Sequence, residues 1–366
     1  MKKKILFSAY TLDVGGIETA LVNLLNKLIN QYDVTLVLEK KQGVFLDRLD
    51  PNIRVIEYNP SQNKNPIIRK FINLLKRLEF TIKNKNKYDF AGSFATYSKM
   101  GSFCARTASK NNALWGHVNY TQLYNGNMEE VKSFFKFVKY DKFRRIVFVS
   151  NEGAMEFKKI FPDKEKSIIV CNNLIDYKNI RKLAKEKIDI QKNRESITFL
   201  NVGRQEEHQK RLSRIIEASE KLKKDNLNFE VILVGDGPDS EKYKDMVKNY
   251  NLEANIIFIG RKKNPYPYFN ICDCVLLSSE YEGYPVTLIE SLTLNKPVIT
   301  TDISDAKTDI ENRYGMVTKK DSNSIYEAMK KFIEDGYDVS RKFNPEEFNN
   351  NILKKLEEII NGGNNA

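Results

Sequence analysis

Two glutamates lie eight residues apart in the stretch that is best suited to chemistry. Glu282 follows an apolar run, Asp273–Leu277, that predicts a buried strand, and Glu290 lies in a helical pattern that begins at Val286. In open α/β sheets, ligands bind beyond the carboxyl ends of strands, where helix N-termini offer free N–H groups to anions. Because Glu290 lies about one turn into the helix and leans back toward its start, both carboxylates are expected to face one ligand.

This strand-to-helix turn suits a nucleotide sugar. The carboxylates would accept hydrogen bonds from hydroxyl groups, while the helix amides would bind a diphosphate. On this stretch alone, a solvated loop glutamate beside a helix-surface glutamate is an equally good interpretation. The choice between the two depends on the other charged residues that the fold brings to the same edge.

Two cations follow another predicted strand. Arg204 comes directly after Asn201–Gly203, and Lys210 lies in the next loop. Either one alone is most simply a solvated surface charge, but together beside Glu282 they predict neutralisation of a diphosphate through charge-assisted hydrogen bonds. The sequence has no Asp-x-Asp metal-diphosphate motif, so no metal is expected and the negative charge of a leaving diphosphate falls to these cations and to backbone amides.

Two weaker signals lie in the first half of the chain. Gly15 and Gly16 follow the first predicted strand and open a helix, which allows a ligand close to the backbone, but they lack the spacing of a dinucleotide fingerprint or a P-loop. His117 ends a short predicted strand. A single histidine is often a hydrogen-bonded structural residue, but this position at a strand end also suits a site residue.

Length and composition limit the possible classes of protein. A chain of 366 residues is long enough for two domains, and no apolar run approaches the roughly 18–20 residues that span a bilayer. Four scattered cysteines are expected to be buried thiols in a reducing cytoplasm, and the start of the chain predicts a first strand and not a signal peptide. The net charge of +12 predicts an anionic partner, which can be nucleic acid, lipid or a phosphorylated substrate.

Strand and helix patterns alternate along the whole chain, which predicts βαβ units and two doubly wound parallel sheets. The expected domains are 1–178 and 179–344, with a last helix over 345–366 that has no following strand. The predicted strands are Lys4–Tyr10, Val34–Leu38, Arg54–Tyr58, Tyr88–Ala95, Ala113–His117, Arg145–Ser150 and Ser167–Cys171, then Ile197–Gly203, Phe229–Gly235, Asn255–Gly260, Asp273–Leu277, Pro297–Thr301 and Gly315–Thr318.

The segment Pro66–Lys87 predicts a basic amphipathic helix. An ordinary helix that covers the first sheet is the commoner interpretation. The alternative is a helix that rests on an anionic membrane, where each basic residue near the surface adds about 1 kcal/mol. The apolar stripe contains Ile68, Phe71, Ile72, Leu75, Leu78 and Ile82, and the basic residues opposite are Arg69, Lys70, Lys76, Arg77 and Lys83.

Five motifs occur in the order seen in one enzyme family. They are Gly15-Gly16-x-Glu18, His117, Asn201-x-Gly203-Arg204 with Lys210, Gly235-Asp236-Gly237-Pro238, and Glu282-x7-Glu290. In these motifs the chain resembles the retaining glycosyltransferases of family 4, which have the GT-B fold. The resemblance covers nearly the whole chain, and the last motif is the most specific.

The resemblance implies two Rossmann-like domains that face each other across a cleft. The C-terminal domain holds the nucleotide-sugar donor, the N-terminal domain holds the acceptor, and the C-terminal helix crosses back to the first domain. Catalytic roles are implied for His117, Glu282, Arg204 and Lys210. Donor contacts are implied for Gly15, Gly16, Arg204, Lys210, Arg261, Glu282, Gly283, Tyr284, Pro285, Val286, Thr287 and Glu290.

The individual roles also follow from the resemblance. Arg204 and Lys210 bind the diphosphate, Glu290 holds the ribose, Glu282 holds the transferred sugar, and backbone at Arg261 meets the base. In this family the acceptor is described as attacking the sugar from the face that the leaving group departs from, so no protein nucleophile is assigned. The sequence departs from many members at Arg211-Leu212, where Gly-Phe is usual, and at the 172–176 hinge.

The resemblance implies a bacterial, metal-independent hexosyltransferase that uses a nucleotide sugar, with UDP as the expected carrier. Its acceptor is expected to be a lipid-linked or nascent glycan of capsule, lipopolysaccharide, exopolysaccharide or teichoic-acid type. The enzyme is expected in the cytoplasm, at the inner face of the membrane, with Arg69, Lys70, Lys76 and Arg77 as membrane or acceptor contacts. The open alternatives are an epimerase or phosphorylase on the same fold, and a basic nucleic-acid-binding protein, for which the sequence shows no recognised motif.

Overall fold

The computed structural model describes residues 1–13, 15–188, 190, 194–337 and 342–362. The chain divides into two compact units. One contains Met1–Leu174 together with the stretch from Asn349 onward, and the other contains Ile175–Phe348. The first boundary therefore lies four residues before the expected position at 178. The second boundary falls inside the last helix, so the part of this helix from Asn349 onward belongs to the N-terminal unit.

Seven parallel strands form the sheet of the N-terminal unit in the order β3-β2-β1-β4-β5-β6-β7. β1, β2, β4, β5 and β6 are almost wholly buried, as expected for a sheet with helices on both faces. The strands are β1 (Lys4–Ala9), β2 (Asp33–Leu38), β3 (Arg54–Glu57), β4 (Phe90–Ser93), β5 (Asn112–Gly116), β6 (Arg145–Phe148) and β7 (Ile168–Val170). The helices are α1 (Gly16–Leu28), α2 (Pro66–Asn84), α3 (Lys99–Ala108), α4 (Tyr120–Leu123), α5 (Met128–Phe137) and α6 (Asn151–Ile160), with 3-10 turns at Leu46–Arg48, Tyr140–Lys142 and Pro162–Ser167.

Six parallel strands form the second sheet in the order β10-β9-β8-β11-β12-β13. The strands are β8 (Ile197–Val202), β9 (Phe229–Val234), β10 (Ile256–Gly260), β11 (Cys274–Leu277), β12 (Val298–Thr301) and β13 (Gly315–Thr318). The helices are α7 (Tyr177–Leu183), α8 (Glu207–Lys210), α9 (Leu212–Lys224), α10 (Ser240–Asn249), α11 (Tyr266–Ile271), α12 (Val286–Thr293), α13 (Ala306–Asp309), α14 (Ser322–Asp335) and α15 (Pro345–Asn361), which ends in the N-terminal unit.

Both sheets have a switch point, where chain connections leave in opposite directions from two adjacent strands. It lies between β1 and β4 in the first sheet and between β8 and β11 in the second. Ligands of open α/β sheets bind beyond the carboxyl ends of the strands at such points. The two strand series and the fold class predicted from the sequence are confirmed.

Helix α2 lies on its unit in an unexpected orientation. Phe80 and Asn84 are its buried residues, whereas Phe71, Leu75 and Leu78 of the predicted stripe are exposed. Lys76 donates a hydrogen bond to the Asn59 carbonyl, and the Arg77 guanidinium lies 5.4 Å from the centre of the Phe103 ring. The expectation that the apolar stripe covers the sheet is therefore wrong, because the polar face makes the contacts.

Two further findings concern the whole described chain. All four cysteines are buried free thiols, as expected. Among the described residues, none of the helices has the length and apolar character needed to cross a membrane.

Candidate active site

The centre of the candidate site is an ion pair at the switch point of the second sheet. Glu282 lies in the loop after β11 and Lys210 ends α8, the short helix after β8. Lys210 Nζ lies 2.5 Å from Glu282 Oε1, which also accepts a hydrogen bond of 2.8 Å from Ser279 Oγ. Gln209 Nε2 donates to the other carboxylate oxygen at 3.3 Å. Glu282 is only 8% exposed, so these donors compensate a nearly buried charge.

Hydrogen bonds fix the two loops to each other. The Glu280 amide donates to the Gln209 carbonyl at 2.7 Å, and Ser278 Oγ donates to the Lys210 carbonyl at 2.8 Å. Arg214 of α9 adds an ion pair to Glu280. The positions of Lys210 and Glu282 therefore depend on backbone contacts as well as on their mutual attraction.

Arg211 explains one departure from the family pattern. Its φ of 49° lies in the left-handed region that glycine adopts most easily, and glycine is usual at this position in the family. The side chain makes long ionic contacts with Glu207 and Glu280, at 3.5 and 3.6 Å. Arg211 therefore adopts a backbone conformation that suits glycine, with a larger side chain.

Helix α12 begins beside this pair, as the sequence predicts. No side chain caps the amides at its N-terminus, where Pro285 is the capping residue. Thr287 Oγ1 donates to the Val202 carbonyl at the end of β8 at 3.3 Å, so the start of α12 lies next to the strand that precedes Arg204. The amides of Val286 and Thr287 thus lie at an uncapped helix start at the switch point, a position that suits an anion.

Glu290 lies in α12 and is nearly buried. Its Oε1 accepts a hydrogen bond of 2.9 Å from the hydroxyl of Tyr266, which begins α11 after β10. Sequence reasoning missed Tyr266, because the only signal was its place in the loop region after a predicted strand. The contact orients the Glu290 carboxylate.

Arg204 and Arg261 are the exposed cations of the predicted set. The Arg204 side chain is 66% exposed, and its only described partner is Glu206, at 3.2 Å. Arg261 follows β10 and is exposed near Asp236. The pKa of Asp236 is lowered by hydrogen bonds from Ser240 and from the Gly237 amide, with a smaller effect of nearby cations.

Two glycines allow the loop after β9 to approach the loop after β8. A Cβ at Gly235, whose φ is 143°, would overlap the Gly203 carbonyl, and a Cβ at Gly237 would overlap the Gln205 backbone. Since both loops follow strands that end at the switch point, the glycines bring backbone close to Arg204. This gives a physical reason for the Gly235-Asp236-Gly237-Pro238 motif.

Gly283 and Tyr284 complete the loop before α12. Ser304 Oγ donates to the Gly283 carbonyl at 2.5 Å, and the Tyr284 hydroxyl donates to Asp309 at 2.9 Å. Burial raises the pKa of both Tyr284 and Asp309. These contacts fix the loop before α12 to the segment that contains Ser304 and Asp309.

In the N-terminal unit, Gly15 and Gly16 lie at the switch point between β1 and β4. Gly15 caps α1 in extended conformation, and a Cβ there would collide with the Glu18 carboxylate. Glu18 accepts a hydrogen bond of 3.2 Å from the Tyr97 hydroxyl, which follows β4. Burial raises the pKa of Glu18.

His117 lies at the end of β5 and is 7% exposed. Its Nε2 lies 2.8 Å from the Phe94 carbonyl, whereas its buried Nδ1 has no described hydrogen-bond partner. Burial lowers the pKa of His117 to about 4, so the ring is neutral near pH 7. A neutral ring that donates through Nε2 carries a lone pair on Nδ1, which can accept a hydrogen bond from a hydroxyl.

The structure therefore brings together Lys210, Glu282 and the start of α12, and in the other unit Gly15, Gly16 and Glu18. Among the described residues, no group of three or more histidine, cysteine, aspartate or glutamate side chains could hold a metal ion.

Comparison with known proteins shows which family the C-terminal unit is similar to. Residues 183–350 match the family described as glycosyl transferases group 1, and this range covers most of the C-terminal unit. The resemblance inferred from the motifs is thereby confirmed at the level of glycosyl transferases group 1.

Two relatives and one solved structure extend the comparison. An uncharacterized glycosyltransferase of Methanocaldococcus jannaschii is 28% identical over 204 residues, which are 54% of this chain and 49% of the relative, so this match spans about half of each protein. An N-acetylgalactosamine-N,N'-diacetylbacillosaminyl-diphospho-undecaprenol 4-alpha-N-acetylgalactosaminyltransferase of Campylobacter jejuni is 24% identical over 89% of each chain. The crystal structure of Anabaena HepE in complex with UDP and glucose superposes with a TM-score of 0.75 at 16% identity, over 97% of this chain and 99% of that one. Its likeness shows the fold, which is GT-B.

Proposed function

We propose that this protein is a retaining glycosyltransferase that moves a sugar from a UDP-sugar to a lipid-linked or nascent cell-surface glycan. The observation that carries the proposal is the Lys210–Glu282 ion pair beside the uncapped start of α12, at the switch point of a unit that matches glycosyl transferases group 1. The Campylobacter relative, which acts on a diphospho-undecaprenol glycan, supports the acceptor class. The Anabaena fold neighbour with bound UDP supports the donor.

In this proposal the diphosphate lies at the start of α12. The amides of Val286 and Thr287 bind its oxygens, and Arg204 and Lys210 neutralise the charge that grows as the sugar leaves. The exposure of Arg204 leaves its guanidinium available for a phosphate. No divalent metal is required in this scheme, and unchanged transfer in EDTA would agree with it.

The two glutamates act as hydrogen-bond acceptors for hydroxyls. Glu290, oriented by Tyr266, binds the ribose, and Glu282 binds the transferred sugar. His117, a neutral ring, is assigned a place beside a sugar. Backbone at Arg261 contacts the base, and backbone at Gly283 and Tyr284 approaches the donor. No side chain is assigned as nucleophile.

The first experiment identifies the donor. A panel of nucleotide sugars is added to the purified chain, and the compound that raises the melting temperature most is identified. UDP-sugars are expected to bind, whereas Arg204→Ala and Glu290→Ala should weaken the shift. The proposal fails if no nucleoside diphosphate or nucleotide sugar binds the native protein.

The second experiment follows transfer of the bound sugar to a membrane extract. The native enzyme is expected to label a lipid-soluble or polymeric product with retained anomeric configuration. Glu282→Ala, Arg204→Ala and Lys210→Ala should each lose most of this activity while the circular dichroism spectrum is unchanged. An altered sugar released without acceptor would instead identify an epimerase, and phosphate-dependent release would identify a phosphorylase.

A further inference from the structure

Helix α2 presents an apolar stripe on the side opposite to its own unit. Seven large apolar side chains of this helix are exposed, including Phe71 at 60% and Ile82 at 78%. At about 100° per residue they fall within an arc of about 120°. The exposed stripe consists of Ile67, Ile68, Phe71, Leu74, Leu75, Leu78 and Ile82.

The contact face of α2 lies on the far side of the helix. Phe80 and Asn84 are buried there, Asn73 accepts a hydrogen bond of 2.7 Å from the Ser61 amide, and Lys76 and Arg77 bind groups of the same unit. The helix is thus fixed through a largely polar face. Since its fixed orientation exposes the apolar stripe, the stripe needs a separate explanation.

Basic residues border the stripe on both sides. Lys83 lies beyond one edge and Lys70 lies beyond the other, both with exposed side chains, whereas Arg69 lies on the side of the contact face. Glu79 is the only acidic residue of the helix, and its pKa is lowered because Lys83 binds it at 2.6 Å. An apolar centre with basic flanks complements a surface that has an apolar interior and anionic headgroups.

We propose that α2 is a membrane-docking helix that lies in the interface of an anionic bilayer, with the exposed stripe inserted between lipids. The nineteen-residue helix is about 28 Å long and lies along the surface. Lys70 and Lys83 contact lipid phosphates, while Lys76 and Arg77 anchor the helix to the enzyme. This differs from a purely electrostatic contact of the basic face, because the apolar side chains supply most of the attachment.

The attachment is independent of the glycosyltransferase proposal. Vesicle binding is measured without nucleotide or acceptor, so its failure would leave the proposed transfer reaction standing. If transfer fails while vesicle binding occurs, the proposal that α2 docks on a membrane is unaffected.

Insertion is tested with a tryptophan in the stripe. The chain has one tryptophan, Trp115, which is buried and gives a constant background. Phe71→Trp is expected to show a blue-shifted emission with vesicles of phosphatidylcholine and phosphatidylglycerol, and quenching by brominated lipid. Met155→Trp, at a similarly exposed position on α6, serves as the matched control and should show neither change.

The attachment is then removed in two ways. Phe71→Gln, Leu74→Gln and Leu78→Gln together should lower the vesicle partition coefficient by about tenfold or more, because they remove inserted apolar area. Lys70→Gln and Lys83→Gln together should weaken binding to anionic vesicles and reduce its salt dependence. The matched controls are Val44, Met128 and Met155 changed to Gln, and Lys248 and Lys331 changed to Gln, which should bind like the native chain.

Three results would overturn the proposal. The first is absence of native binding to anionic vesicles. The second is native-like binding by the triple stripe variant. The third is a native dimer that becomes a monomer in the stripe variant, because the stripe would then be an interface between two copies of the chain.

Discussion

Lys210 Nζ lies 2.5 Å from Glu282 Oε1, and this ion pair joins the loops that follow the adjacent parallel strands β8 and β11. Glu282 is nearly buried, so removal of Lys210 leaves a carboxylate with fewer donors. We expect Lys210→Ala to lower the free energy of unfolding by about 1–3 kcal/mol and to abolish most binding of UDP. Urea unfolding and calorimetry measure the two effects.

The control for this prediction is Lys244→Ala. Lys244 makes an ion pair of 2.7 Å with Glu241, but on the surface. Its loss should leave the free energy of unfolding close to that of the native chain and leave UDP binding unchanged. Equal behaviour of the two variants would show that the Lys210 pair has no special role.

A second prediction concerns the Tyr266 hydroxyl, which donates to Glu290. Tyr266→Phe removes this donor and leaves the ring in place, so the Glu290 carboxylate loses one contact that orients it. We expect the affinity for UDP to fall by several-fold to about tenfold. Tyr250→Phe, at the end of α10, is the control, and loss of affinity in both variants would point to a general effect on the unit.

A third prediction uses two glycines with positive φ, Gly235 at 143° and Gly126 at 79°. Alanine is strained at both, but only at Gly235 would the Cβ overlap another backbone group, the Gly203 carbonyl. Gly126→Ala should cost about 1 kcal/mol in unfolding free energy, and Gly235→Ala should cost about 2 kcal/mol more and weaken UDP binding. Similar costs would mean that the loops after β8 and β9 can separate without loss.

The strands and the neighbourhood of Lys210 and Glu282 were predictable because they depend on local patterns and one topological rule. Apolar runs mark buried strands, and parallel strands end at one edge, so Lys210 and Glu282 could be placed together. Tyr266 was not predictable, because no pattern in its short helix indicates which side chain reaches across to α12. Side-chain contacts of this kind depend on three-dimensional packing.

The orientation of α2 shows a different limit. Helical periodicity identifies the two faces of a helix but does not say which one contacts the protein. Here Asn73, Lys76 and Phe80 make the contacts, and the more apolar face is exposed. The apolar face of a helix is usually the buried one, so the sequence favoured an orientation in which the apolar stripe of α2 contacts the sheet.

A fourth prediction concerns His117, whose pKa falls from 6.5 to about 4 because the ring is buried. The unfolded chain then takes up a proton at higher pH than the folded chain. The free energy of unfolding should therefore fall as the pH drops from about 6.5 to about 4, by on the order of 3 kcal/mol. His117→Gln should lack this contribution, and the difference between the urea-unfolding curves of the two proteins across this range isolates it from the carboxylates. Parallel pH profiles would contradict the prediction.

The last prediction concerns Glu18, whose carboxyl pKa is raised by burial beside Tyr97. The folded state favours the neutral form, so the free energy of unfolding loses a contribution as the pH rises above the ordinary value of 4.5. Glu18→Gln should therefore raise the melting temperature at pH 7, with the gain shrinking toward pH 4, while sugar transfer falls because the carboxylate beside Gly15 is lost. Glu253→Gln, at an exposed position, should change neither property. A melting temperature that falls at pH 7 would show that the Tyr97 contact outweighs the cost of burying the charge.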